Sequence, residues 1–143
     1  MAMFDQDDLR SGIRLTFTEG EEAELRLTGI NGQLLTNATT KVRLLNMSPD
    51  GLCFASDLQL PIQSNYLAEF RLCISKVHLN VRGRIVWRSV ENGQHVHGVE
   101  FQCTDTLRSL IIGVMNQELI DRYPQQQKIH HLYSRLLHKK RMG

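Results

Sequence analysis

The feature that most constrains this chain is a series of short segments from Leu15 to Cys103 in which apolar residues recur at every second position. The clearest is Val77 to Trp87, where Val77, Leu79, Val81, Ile85 and Trp87 alternate with His78, Asn80, Arg82, Arg84 and Arg88. A period of two is that of a strand with one buried and one wet face. Gly83 near the middle predicts a bend or bulge, as barrel strands carry at corners. Glu91-Asn92-Gly93 predicts a hairpin turn, with Gln94 to Cys103 returning as the antiparallel partner. Tyr66, Ala68, Phe70, Leu72 and Ile74 form another apolar face, and Leu15 to Phe17 and Ala23 to Thr28 alternate more loosely. About seven short strands without interleaved helices predict an antiparallel barrel or sandwich and not a parallel α/β sheet.

Helical spacing takes over after Cys103. Thr104 or Asp105 can cap a helix carrying Leu107, Leu110, Ile111 and Val114 that ends near Arg122, before Pro124. A second helix is expected from about Gln125 to Lys140, with Ile129, Leu132, Tyr133, Leu136 and Leu137 as its apolar stripe. Residues 128 to 143 hold Lys128, Arg135, Lys139, Lys140 and Arg141 and no acid. Such a helix can cap the barrel or pair with its copy in a homodimer; its basic face also suits a membrane surface or nucleic acid. Residues 1 to 14 have no apolar periodicity and read as a flexible surface arm. The expected organisation is thus an arm (1–14), a β-barrel (15–103) and a helical segment (104–143).

At 143 residues the chain is one domain's worth, and 41% apolar with 22% charged residues is ordinary for a globular protein. No stretch approaches 18 consecutive apolar residues, so no transmembrane helix is expected. The acidic start, Met1 to Asp8, lacks the apolar core of a secretory leader. Cys53, Cys73 and Cys103 are odd in number and scattered through strand-like contexts, which predicts reduced, buried thiols in a cytoplasmic protein.

Two short motifs remain. Arg10-Ser11-Gly12-Ile13-Arg14 places two arginines four apart, and Asn46-Met47-Ser48-Pro49-Asp50-Gly51 lies between the apolar runs Val42 to Leu45 and Leu52 to Ala55. The second motif is a strand–turn–strand: Pro49 presets φ, Gly51 accepts φ > 0, and Asn and Ser side chains can bond nearby backbone. Arg-x-x-x-Arg followed by Asn-x-Ser-x-x-Gly, in that order and 36 positions apart from Arg10 to Asn46, resembles the two-part signature of the PilZ domain family. Gly83-Arg84-Ile85-Val86-Trp87 and Gly98-Val99-Glu100-Phe101 resemble two further strand patterns of that family, and the likeness spans roughly residues 9 to 122. The resemblance implies a PilZ-type barrel that binds the bacterial second messenger cyclic di-GMP. It also implies a downstream protein partner in motility, exopolysaccharide production or virulence. On this likeness Arg10, Arg14, Asn46, Ser48 and Gly51 are the ligand-binding residues, with no cofactor beside the ligand.

The chemistry suits that ligand. A guanidinium forks onto guanine O6 and N7 or pairs with a phosphate oxygen. Which of Arg10 and Arg14 takes which role stays open. Asn46 offers a donor and an acceptor, Ser48 a hydroxyl, and Gly51 a close backbone approach. Leu9 stands where many members carry another arginine, which predicts one ligand per chain and not an intercalated pair. His95, His97 and His78 are too few, at these spacings, for a zinc site. Alternation puts Trp87 in the core, with guanine stacking as the alternative. No nucleophile elbow, phosphate loop or catalytic triad order occurs, so the expectation is a receptor and not an enzyme. Its competitors are a PilZ-like scaffold that binds no nucleotide and a nucleic-acid binder working through residues 128 to 141.

Overall fold

The computed structural model describes residues 13–31, 35 and 38–123. Arg10, Leu9, the expected second helix and its basic residues lie outside the described residues, as does any dimer contact through that helix. Seven strands follow one another: β1 (Leu15–Thr16), β2 (Glu22–Gly29), β3 (Thr40–Ser48), β4 (Gly51–Ser56), β5 (Tyr66–Ile74), β6 (Val77–Glu91) and β7 (Gln94–Phe101). One helix, α1 (Asp105–Arg122), completes the described chain. The sheet runs β3-β2-β5-β6-β7-β4 with every pairing antiparallel, and β4 returns to β3 to close a six-stranded barrel. β1 adds to β3 as a seventh strand. The expected β-barrel with a C-terminal helix is therefore the fold.

The period-two pattern fills the interior. Val42, Leu44, Met47, Leu52, Phe54, Phe70, Val81 and Ile85 are all 5% exposed or less. Phe54 lies at the centre, tilted against Phe70 (centroids 5.3 Å) and stacked on His97 (4.7 Å). Outside the barrel, the carboxylate of Glu69 is 1% exposed and accepts from the guanidinium of Arg26 and, at 2.8 Å, from that of Arg82. Burial alone would raise its pKa, but these two guanidinium donors outweigh that and hold the carboxyl below its usual range.

Turn chemistry fixes the strand registers. Asn92 and Gly93 take φ of 51° and 78°, the type I′ geometry expected of an Asn-Gly hairpin. Ser75 and Lys76 also have positive φ (51° and 65°), and no glycine is present to relieve them. α1 supports this turn: Glu118 accepts the Ser75 amide at 3.1 Å, and Ser75 Oγ lies 3.4 Å from Asp121 Oδ2. Thr104 is the N-cap, its hydroxyl accepting from Leu107 N at 3.1 Å. The helix buries Ile111, Val114 and Met115 in the same apolar cluster as Ile13, Leu15 and Phe17.

Two expectations need correction. Trp87 is 44% exposed, not core, because the β6–β7 register shifts between Ile85 and Trp87 and the extra residue turns the indole to the outer face. The irregularity thus falls at Val86 and not at Gly83. Gly83 instead sits where a Cβ would come within 2.4 Å of the Glu100 carbonyl oxygen. The cysteines are free, but Cys73 is exposed and Cys53 and Cys103 are half-buried, so none is the fully buried thiol expected.

The histidines separate. His97 is fully buried and its Nε2 accepts from Leu60 N at 3.0 Å, whereas His78 pairs with Cys73 near the other end of β6. Burial, with lesser effects from His95 and Arg88, lowers the His97 pKa. The unfolded chain therefore takes up a proton more readily than the folded one. The stability contributed by neutral His97 is complete above the ordinary value of about 6.5 and is lost as pH falls below it. Melting temperatures measured from about pH 8 down to 5 should fall more steeply for the wild type than for His97→Gln, which keeps an acceptor but cannot titrate. Equal slopes would show that His97 does not carry this dependence.

Candidate ligand-binding face

β1 delivers Arg14. Ile13 and Leu15 on either side are buried (5% and 0%), so the arginine leaves the strand on the exposed face between two anchored neighbours. The register Leu15↔Met47 and Thr16↔Asn46 sets Arg14 at the level of Ser48. Arg122 holds β1 from the helix side, donating to the Thr16 carbonyl at 2.7 Å and lying 5.5 Å from the centroid of the Phe17 ring.

β3 delivers Asn46 and Ser48 through an irregularity. Its pairing with β4 shifts between Leu44 and Asn46, so Leu45 is the extra residue. Without it, Asn46 would continue the inward series Val42, Leu44; with it, Asn46 and Ser48 face out while Met47 faces in. Asn46 stands opposite Cys53, and Ser48 opposite Gly51. The tip is internally bonded: Asp50 N donates to Ser48 Oγ at 3.3 Å, and Phe101 N donates to the Asp50 carbonyl at 2.8 Å. Arg108 of α1 donates to Asp50 Oδ1 at 3.0 Å, countering the one carboxylate of the turn. That ion pair raises the Arg108 pKa further.

Across β4 and β7 the floor stays low. Cys53 pairs with Gly98, and Gly98 with Trp87. A Cβ on Gly98 would lie 2.1 Å from Trp87 Nε1, so the indole rests on that glycine's backbone. Trp87 is three strands from Asn46, about 14 Å at the usual strand separation. In that cross-strand row only the thiol of Cys53 and the hydrogen of Gly98 lie between them. Burial raises the Cys53 pKa and outweighs the lowering effects of Asn46 and Arg14, so the residue stays a thiol.

Arg14, Asn46, Ser48 and Gly51 thus meet on one outer face beside the tip of the β3–β4 hairpin, while Arg10 lies outside the described residues. Sequence reasoning took Cys53 for a buried thiol and Trp87 for core; Cys53 faces out by the alternation of β4, between buried Leu52 and Phe54, and Trp87 faces out because of the bulge at Val86, which a strict alternation does not register. A separate groove of about 610 Å³ is lined by Glu22, Glu24, Lys41, Arg71 and His78 and contains none of the signature residues.

The family model for the PilZ domain matches residues 32–116. The chain belongs to the PilZ domain family. Solved structures of similar fold include the PilZ domain of CeSA from a cellulose-synthesizing bacterium (TM-score 0.50, 12% identity, covering 73% of this chain and 97% of that one). Bacillus subtilis MotI/DgrA, an inhibitor of motility, aligns at TM-score 0.54 and 7% identity over 76% of this chain and 50% of its own. Apo MrkH of K. pneumonia aligns at TM-score 0.56 and 11% identity over 86% and 55%. At these identities the likeness is one of fold. No curated protein sequence matches the chain. Among the described residues of this PilZ domain, no helix is long and apolar enough to cross a membrane.

Proposed function

We propose that this PilZ domain is a cytoplasmic receptor for cyclic di-GMP and acts by binding, not by catalysis. The observation that carries the reading is the gathering of Arg14, Asn46 and Ser48 on one outward face beside an exposed Trp87. On this reading Arg14 pairs with a guanine edge or a phosphate, Asn46 and Ser48 bind the guanine amide edge, and the indole stacks on a purine. Arg10 supplies the second guanidinium. Two or three charge-assisted contacts at roughly 1.5–3 kcal/mol each, less the cost of ordering, leave about micromolar affinity. Binding shifts the population toward a closed surface read by a downstream protein partner. Motility, exopolysaccharide production and virulence are the processes we assign to that partner.

Calorimetric titration with cyclic di-GMP, with GTP as control, tests this. The expected result is micromolar binding of one cyclic di-GMP per chain and none of GTP. Two ligands per chain would overturn the stoichiometry drawn from Leu9, and no heat of binding would overturn the receptor reading.

A further inference from the structure

Arg122, the last residue of α1, belongs to neither signature motif, yet its contacts end beside Arg14. Its side chain is 23% exposed and reaches three separate segments. Nε donates to Glu118 Oε2 at 2.7 Å, Nη1 donates to the Thr16 carbonyl at 2.7 Å, and Nη2 lies 3.5 Å from Glu21 Oε2. Glu118 is itself fixed, because its other oxygen accepts the Ser75 amide of the β5–β6 turn at 3.1 Å. The guanidinium is therefore tied to the barrel as well as to its own helix.

β1 needs such a hold. It is an edge strand of two residues, and β3 is its one strand partner among the described residues. Phe17 N donates to the Leu45 carbonyl at 2.9 Å, and in a trans peptide the preceding carbonyl points the opposite way. The Thr16 carbonyl thus points away from β3, and Arg122 takes it there. One peptide group is gripped from both sides, two residues or roughly 7 Å along the strand from Arg14.

We propose that Arg122 is a positioning residue for Arg14: by pinning the Thr16–Phe17 peptide it holds β1 where Arg14 meets ligand, and it couples binding to the C-terminal end of α1. This rests on the receptor reading. Arg122 touches no ligand in this role and acts only through β1. Without the pin, β1 is in the binding position for only part of the time, and apparent affinity falls by that fraction. Coupling is reciprocal, so a ligand that fixes β1 also steadies the helix end.

Cyclic di-GMP is titrated into the wild type, R14A, N46A, R122M, R14A/R122M and N46A/R122M, each at a temperature where melting curves show it folded. R122M keeps the length of the side chain, loses every donor, and should bind about five- to tenfold more weakly. That loss should keep its size in the N46A background, because Asn46 is on β3. In the R14A background it should shrink to less than about twofold, since a residue acting through another has little effect once that other is gone. A general loosening of the barrel would weaken both backgrounds alike. Should R122M not fold, E118Q loosens Arg122 with its side chain in place, and the same order of losses is expected. Hydrogen exchange reads the coupling from the other end. Cyclic di-GMP should slow exchange of the Tyr123 amide, which donates to the Leu119 carbonyl at 3.0 Å, in the wild type and not in R122M. Wild type that binds no cyclic di-GMP overturns the receptor reading and this proposal together. Where the wild type binds, the proposal alone is overturned by wild-type affinity in R122M or by equal losses in the R14A and N46A backgrounds. Protection of the Tyr123 amide that is absent in the wild type, or that survives in R122M, overturns it as well.

Discussion

Arg14→Ala is expected to weaken cyclic di-GMP binding by about 10- to 100-fold, the equivalent of one charge-assisted contact of roughly 1.5–3 kcal/mol. The fold should tolerate the change. The side chain is on the exposed face, and the anchoring of β1 comes from its neighbours Ile13 and Leu15 and from Arg122 on the Thr16 carbonyl. Arg14→Lys tests the chemistry more finely. It keeps the charge but loses the planar fork, so a guanine-edge contact predicts a loss close to that of alanine, and a phosphate contact predicts a partial rescue. Calorimetry on the two variants decides between these roles, which the spacing of Arg10 and Arg14 leaves open. Wild-type affinity in Arg14→Ala would remove the arginine from the site.

Gly51→Ala should have the largest effect on stability among the signature positions, about 3 kcal/mol, or roughly 10 °C in melting temperature for a domain of this size. Gly51 heads β4, and a Cβ there would lie 2.1 Å from the Val99 carbonyl oxygen and 3.3 Å from its carbon. That neighbour is backbone held in the β4–β7 ladder, so β4 and β7 must part at Gly51↔Glu100 for the methyl group to fit. The glycine is therefore required by this close approach and not, as its place in the turn suggested, by a positive φ, which it does not adopt. Ligand binding should fall with stability, because the same separation moves Ser48, which pairs with Gly51. Chemical denaturation placing Gly51→Ala within about 0.5 kcal/mol of wild type would show that the strands yield without cost.

Alternation alone located the strands, and turn residues alone located the Asn92-Gly93 hairpin and the end of β3. Each depends on a residue and its close neighbours in sequence, where local sterics decide. A cap at Thr104 or Asp105 and a helix end near Arg122 were legible for the same reason, and the structure takes Thr104 and Arg122. Ser75–Lys76 was not, since its left-handed backbone has no glycine or asparagine to announce it and is held by Glu118, 43 residues away. Trp87 was misplaced because a bulge adds one residue and reverses the parity of everything after it.

The order of two arginines, an Asn-x-Ser-x-x-Gly turn and two later strand patterns determined the family and the identity of the motif residues, because those depend on residue type and spacing. Only the tertiary structure decided that Cys53 and Trp87 share the face of Arg14 and Asn46. Four strands distant in sequence meet there, and their registers are set by bulges at Leu45 and Val86 and by glycines 51 and 98, where a hydrogen is all that the neighbouring backbone or indole leaves room for.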